Sequence, residues 1–169
     1  MKTSNGRSES LGAWLNLVQA HAAVLESLEA KLERESGIHV AWHEVLVRLA
    51  GAEEGRLRMF DLAQLLLLSK SGTTRLIDRM QAAGLVDRGG CESDRRVTYA
   101  MITPKGREAL AAATPVFLEG VREYFSRYLT DRDVASLRAS LRKLLEGNGQ
   151  WTDHRCSPPE LEAPVGQIS

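Results

Sequence analysis

The chain has 169 residues, enough for one domain of ordinary size with a full hydrophobic core. Lys and Arg total 22 and Asp and Glu total 22, so the formal net charge of zero excludes a polybasic protein held to its partner by bulk charge. No apolar run reaches the roughly 20 residues needed to cross a bilayer, and Cys91 and Cys156 stand far apart without CxxC spacing, which argues against a disulfide framework or a zinc site.

Residues 1–9 are polar and read as a flexible N-terminus. From Leu11 the apolar positions Leu11, Trp14, Leu15, Val18, Ala22, Leu25, Leu28 and Leu32 fall at helical spacing, and Gly37 ends the run. A second helix carries Trp42, Val45, Leu46 and Leu49, and Gly51 and Gly55 bracket a charged turn. Arg56-Leu57-Arg58-Met59 alternates and predicts a short extended entry. Asp61 is placed to cap a helix from Leu62 to Leu68, with Gln64 three residues on and Phe60 and Leu65 as a hydrophobic staple.

Ser71 is a good cap for the next helix, Gly72 to Ala83, which Gly84 terminates. Leu76, Ile77, Met80 and Ala83 form its apolar stripe, and Thr73, Thr74, Arg75, Asp78 and Arg79 fall largely outside that stripe. The period then changes to about two: Leu85–Arg88 and Val97–Ile102 read as strands around a polar hairpin loop, residues 89–96. Thr103 caps a long helix with Pro104 in its first position, running to about Leu129 and expected to kink at Pro115. Thr130 or Asp131 caps a last helix to Glu146. The tail, 148–169, is rich in proline and poor in large apolar residues, a composition that predicts disorder.

The predicted fold is mainly α with a small antiparallel β wing. A winged helix-turn-helix, 56–103, is flanked by helices at 10–50 and 104–147 within a single domain, 10–147. Those flanking helices carry more apolar surface than the small winged unit needs, and a partner subunit is the simplest use for it. Leu11, Trp14, Leu15, Val116, Phe117, Val121, Tyr124, Phe125, Tyr128, Leu137, Leu141 and Leu144 are the expected dimer and core set.

The stretch from Leu57 to Gly106 resembles the MarR family of winged-helix transcriptional regulators. The likeness rests on Asp61-Leu62-Ala63, on the run Ser71 to Met80, and on Ala83-Gly84-Leu85-Val86. It continues in Asp94-Arg95-Arg96, which is similar to the family's Asp-x-Arg wing signature, and in Thr103-Pro104-Lys105-Gly106. The cysteine usage fits a reducing cytoplasm, and the resemblance implies a homodimeric regulator of bacterial type, commonly a repressor. It would bind double-stranded DNA at a pseudo-palindromic operator and release it when a small aromatic or anionic ligand binds.

On that reading Ser71, Gly72, Thr73, Thr74, Arg75 and Arg79 face the major groove and its phosphates. Gly72 lets the backbone come close. Arg96 enters the minor groove, with Asp94 and Arg95 beside it. Asp78 either orients Arg75 or Arg79 or is an exposed acid, and Arg88 is a phosphate contact or a salt bridge at the wing base. Trp14, His21, Trp42 and His43 are candidates for a ligand pocket, with core or surface roles as the plainer alternative. Cys91 at the wing is read as passive, the alternative being a redox-responsive regulator in which Arg88 lowers the thiol pKa. A winged-helix module that binds protein is a further alternative. No HExxH, GxSxG or Walker pattern is present, so no enzyme, cofactor or metal is expected.

The neutral total hides an uneven distribution. Residues 56–96 hold eight Lys and Arg against five acids, an excess of three that acidic regions elsewhere offset.

Overall fold

The computed structural model describes residues 4–90 and 97–152, with side chains from residue 8. Among these, six α-helices and three strands follow the predicted order. They are α1 (Ser4–Ser36), α2 (Val40–Ala50), β1 (Arg56–Arg58), α3 (Met59–Leu65), α4 (Lys70–Ala82), β2 (Val86–Gly90), β3 (Thr98–Ile102), α5 (Pro104–Tyr124) and α6 (Asp131–Gly147). Short 3₁₀ turns stand at Glu53–Gly55 and Ser126–Tyr128. No helix of the described residues is long and apolar enough to cross a membrane.

The sheet has the order β1-β3-β2, antiparallel throughout. Leu57 pairs with Ala100, and Arg88 and Gly90 pair with Ala100 and Thr98, so the extended entry at Arg56 is a true edge strand. The core gathers one face of each element: Leu32 from α1, Val45, Leu46 and Leu49 from α2, Leu62 from α3, Ile77 and Met80 from α4, then Val86, Ala100 and Ala113. Each large apolar side chain fully withdrawn from water contributes about 1.5–3 kcal/mol. His43 is the buried polar exception. Its ring stacks on Phe117 at 4.4 Å between centroids, and its Nε2 lies 3.3 Å from Thr114 Oγ1. The Thr114 hydroxyl donates to Leu110 O at 2.8 Å, so Nε2 of His43 carries the proton and donates. Burial lowers the His43 pKa to about 4, so the ring is neutral near pH 7.

Two close approaches lock the helices together. Gly106 sits where a Cβ would stand 2.1 Å from Leu85 O, and Gly120 lets α5 settle against Leu28 of α1. Beside Gly120, the Lys31 ammonium is nearly buried among Glu35 (3.2 Å), Glu119 (3.4 Å) and Glu123 (3.5 Å). Loss of solvent works against its charge, but hydrogen bonds and attraction from Glu35 and Glu119 outweigh that and hold Lys31 above the ordinary lysine value.

Several boundaries differ from the sequence reading. The first helix begins at Ser4, so most of the stretch read as flexible continues the helix; polar residues do not by themselves stop one, and the lone Gly6 does not either. The third helix runs Met59–Leu65, with Arg58 as the flanking residue and Asp61 inside the first turn, where it complements the helix dipole. Asp61 is therefore not the cap. Phe60 is 54% exposed beneath Lys70, whose Nζ stands 5.6 Å from the ring centre, and makes no staple. This helix stops early because Leu67 takes a left-handed conformation (φ 54°) and closes a Schellman motif: Leu68 N–H donates to Ala63 O and Leu67 N–H to Gln64 O. The next helix is capped by Ser69, not Ser71. The long helix passes through Pro115 and ends at Tyr124, not Leu129. Thr130 is the cap of α6, in a reciprocal capping box with Asp133.

The expected dimer and core set divides. None of its members is among the fully buried residues; Val116 and Phe117 pack against the core from its edge. Leu11, Trp14, Leu15, Phe125, Tyr128 and Leu144 are exposed.

Candidate nucleic-acid interface

The helix that the sequence nominates for reading DNA, α4, is held by its inner face. Leu76, Ile77 and Met80 are buried, and Thr73 with them. Its start is built by Ser69, whose Oγ accepts from Gly72 N–H at 3.1 Å and lies 3.2 Å from Ser71 Oγ. Its end is closed by Gly84 at φ +74°, with Leu85 N–H donating to Met80 O and Gly84 N–H to Gln81 O.

The outer face presents Ser71, Thr74, Arg75, Asp78 and Arg79 to solvent. Among the described residues neither Arg75 nor Arg79 has an ion-pair partner, so both guanidinium groups project from the helix uncommitted. Thr74 donates its hydroxyl to Lys70 O at 2.9 Å, which leaves the oxygen lone pairs and methyl outward.

Two of the nominated residues face elsewhere. Thr73 is wholly buried and donates to Ser69 O at 3.2 Å, so it supports the first turn and has no surface to offer DNA. Gly72 faces Ser69 Oγ and Leu68, where a Cβ would come within 3.2 Å of that oxygen, so the glycine makes room for the cap. Asp78 and Arg88 resolve each other: Arg88 Nη2 donates to Asp78 Oδ1 at 2.8 Å and to Thr74 O at 2.9 Å. Asp78 therefore orients neither Arg75 nor Arg79. Arg88 is a salt bridge at the wing base. Asp94, Arg95, Arg96 and Cys91 lie outside the described residues. The strands that carry their loop are in register up to the Gly90–Thr98 pair.

Sequence reasoning missed Lys70 and Ser69. Lys70 is the first residue of α4, exposed, with its ammonium over Phe60. Both Ser69 and Ser71 are competent caps, and only packing decides between them.

The four pocket candidates are not brought together on one wall. Trp14 and His21 are exposed on α1. Trp42 is half-buried in a T-shaped contact with His39, 5.2 Å between centroids. His43 belongs to the core, against Phe117 and Thr114.

A family model described as MarR family matches residues 36–97. Among solved structures, this chain is similar to Sco3205, a MarR family transcriptional regulator from Streptomyces coelicolor, in complex with DNA. That likeness has 28% identity and a TM-score of 0.79 and covers 93% of each chain. It is also similar to AbsC, a MarR family transcriptional regulator from the same organism, at 31% identity and a TM-score of 0.77, covering 89% of this chain and 99% of that one. Among curated proteins it is 35% identical to the uncharacterized HTH-type transcriptional regulator YsmB of Bacillus subtilis over 54% of this chain; the match spans 62% of that relative's length.

Proposed function

The chain belongs to the MarR family of transcriptional regulators, and from that premise we propose that it is a sequence-specific DNA-binding regulator acting as a homodimer on a pseudo-palindromic operator. The observation that carries this reading is the outer face of α4. Thr74, Arg75 and Arg79 project together from a helix whose inner face is anchored in the core. A helix so mounted enters the major groove, where an arginine fork matches the paired acceptors of guanine and a threonine methyl meets that of thymine. The α4 N-terminus, with Lys70 and Ser71 exposed, offers a cation, a hydroxyl and backbone N–H groups to phosphate.

The exposed apolar residues Leu11, Trp14, Leu15 and Val18 of α1, with Phe125, Tyr128 and Leu144 near α6, support the homodimer. The α6 helix buries none of its residues within the chain, although its apolar residues fall on one side. Two copies then meet half-sites about one helical turn apart, roughly 34–36 Å. Repression follows where the operator overlaps a promoter, and a small aromatic or anionic ligand that displaces the winged units releases it.

The test is fluorescence anisotropy of the full chain against DNA from its own upstream region, with light scattering for oligomeric state. A dimer that binds one palindrome at least a thousandfold more tightly than scrambled DNA, and weakens as salt rises, is the expected result. A monomer, or equal affinity for both sequences, overturns the reading.

A further inference from the structure

The end of α1 and the start of α2 bring two carboxylates and an imidazole together. Glu29 and Glu33 lie about one turn apart on α1, and Gly37 at φ +68° turns the chain back so that His39 reaches them. One ligand atom from each of Glu29, Glu33 and His39 lies within 4.8 Å of the others. We propose that these three side chains form a site for one divalent transition-metal ion of the zinc type, which clamps α1 to α2.

The donor set names the class of ion. One imidazole nitrogen with two carboxylate oxygens suits zinc or its first-row neighbours, and the nitrogen makes magnesium and calcium poorer fits. Ligands of one tetrahedral zinc stand roughly 3.3 Å apart. His39 Nδ1 and Glu29 Oε1 are 2.7 Å apart, so small side-chain rotations close the set. Two of the three ligands are already held. Glu29 Oε2 accepts from Val40 N–H at 2.8 Å, and the His39 ring makes its T-shaped contact with Trp42. The ion takes the place of the Nδ1 proton, and the neutral ring then carries its proton on Nε2.

The local charge calls for a cation. Like charges four residues apart on a helix repel, and Glu33 stands in the last turn of α1, at the negative end of its dipole. Among the described residues no lysine or arginine pairs with Glu29 or Glu33. Lys31 faces Glu35, Glu119 and Glu123, and Arg34 faces Glu35. His39 bonds to Glu29 and leaves the Glu33 carboxylate without such a partner.

The site uses no residue of α4, so its test runs without DNA. Zinc chloride is titrated calorimetrically into the full chain carrying Cys91→Ser/His154→Gln/Cys156→Ser, which removes both sulfur donors and the histidine between them. One ion per chain is the expected result. Glu33→Gln in that background should weaken binding by more than the roughly tenfold that losing an outer-shell partner costs, and His39→Gln should do the same. Glu33→Gln removes a repulsion, so its metal-free melting should match or exceed that of the background, which separates a lost ligand from a lost fold. His21→Gln, an exposed histidine of α1 outside the set, should titrate like the background. Equal affinity in the background and both site variants overturns the proposal and marks an adventitious ion only. So does the absence of saturable binding in the background.

Discussion

Arg88 Nη2 lies 2.8 Å from Asp78 Oδ1, and this one contact ties the foot of the wing to the middle of the reading helix. The same nitrogen donates to Thr74 O one turn earlier, so strand β2 grips α4 at two levels. As a partly exposed ion pair it is worth about 1 kcal/mol or less to stability. Its value lies in fixing the angle between the helix and the wing.

Arg88→Ala and Asp78→Ala should therefore each weaken operator binding about tenfold while melting close to the parent. The double variant should lose no more than either single one, because both remove the same restraint. Anisotropy at matched salt, with thermal melts alongside, measures the cycle. Additive losses would mean that the two residues act on DNA separately.

Neighbouring threonines on α4 should behave differently. Thr73→Val removes a buried hydroxyl that donates to Ser69 O, but that carbonyl still accepts from Thr73 N–H. The expected cost is about 1 kcal/mol of stability with operator preference intact. Arg75→Ala should leave stability unchanged and cost about 1–3 kcal/mol of binding, with relaxed preference at one base pair if it forks onto guanine. If Arg75 holds phosphate, the loss is uniform across sequences and the salt slope falls by about one. Titrations against single-base operator variants separate the outcomes.

His43 gives the fold an acid sensitivity. Its folded pKa near 4 lies below the unfolded value of 6.5, so below pH 6.5 the unfolded chain binds the proton more readily. Stability should fall as pH drops from 6.5 to 4, by up to about 3 kcal/mol from this group, and level off below that. His43→Leu should flatten this part of the profile. It leaves no donor stranded, because the Thr114 hydroxyl already donates to Leu110 O. Urea midpoints between pH 4 and 7 for parent and variant make the comparison, and parallel curves would refute the assignment.

Gly106→Ala should destabilise by about 2 kcal/mol or more, since its Cβ would meet the Leu85 carbonyl at 2.1 Å and backbone cannot move aside as a flexible side chain can. Gly147→Ala, with open space around it, is the control and should be near neutral. A melt within 1–2 °C of the parent for Gly106→Ala would show that the contact between α5 and Leu85 is looser than described.

The order of elements was legible because apolar period, caps and glycines agree along most of the chain. Thr103, Gly84 and Gly37 each did what local chemistry predicts. The misreadings fall where two local answers compete. Ser69 and Ser71 both cap well, and Asp61 suits the first turn of α3 as well as its flank. A run of four leucines gives no hint that Leu67 adopts a glycine-like conformation. On the reading face, Arg75, Arg79 and Thr74 could be placed by helical spacing alone. The burial of Thr73 could not, because a threonine fits either side of a helix boundary. The Asp78–Arg88 pair spans a helix and a strand, and a pairing across elements has no local signature.

The junction between α4 and α5 has a mechanical consequence. Thr103 Oγ1 donates to Gly84 O at 2.8 Å and accepts from Gly106 N–H at 2.9 Å, while Lys105 Nζ donates to Ala83 O at 2.8 Å. The carbonyls of Ala83 and Gly84, just past the end of α4, are thus held by the cap and first turn of the 21-residue α5. With Gly106 pressed on Leu85, the joint has no slack. The two helices are therefore coupled at this joint: a change in the direction of α5 at Thr103 has to be followed by the chain leaving α4, or these bonds break.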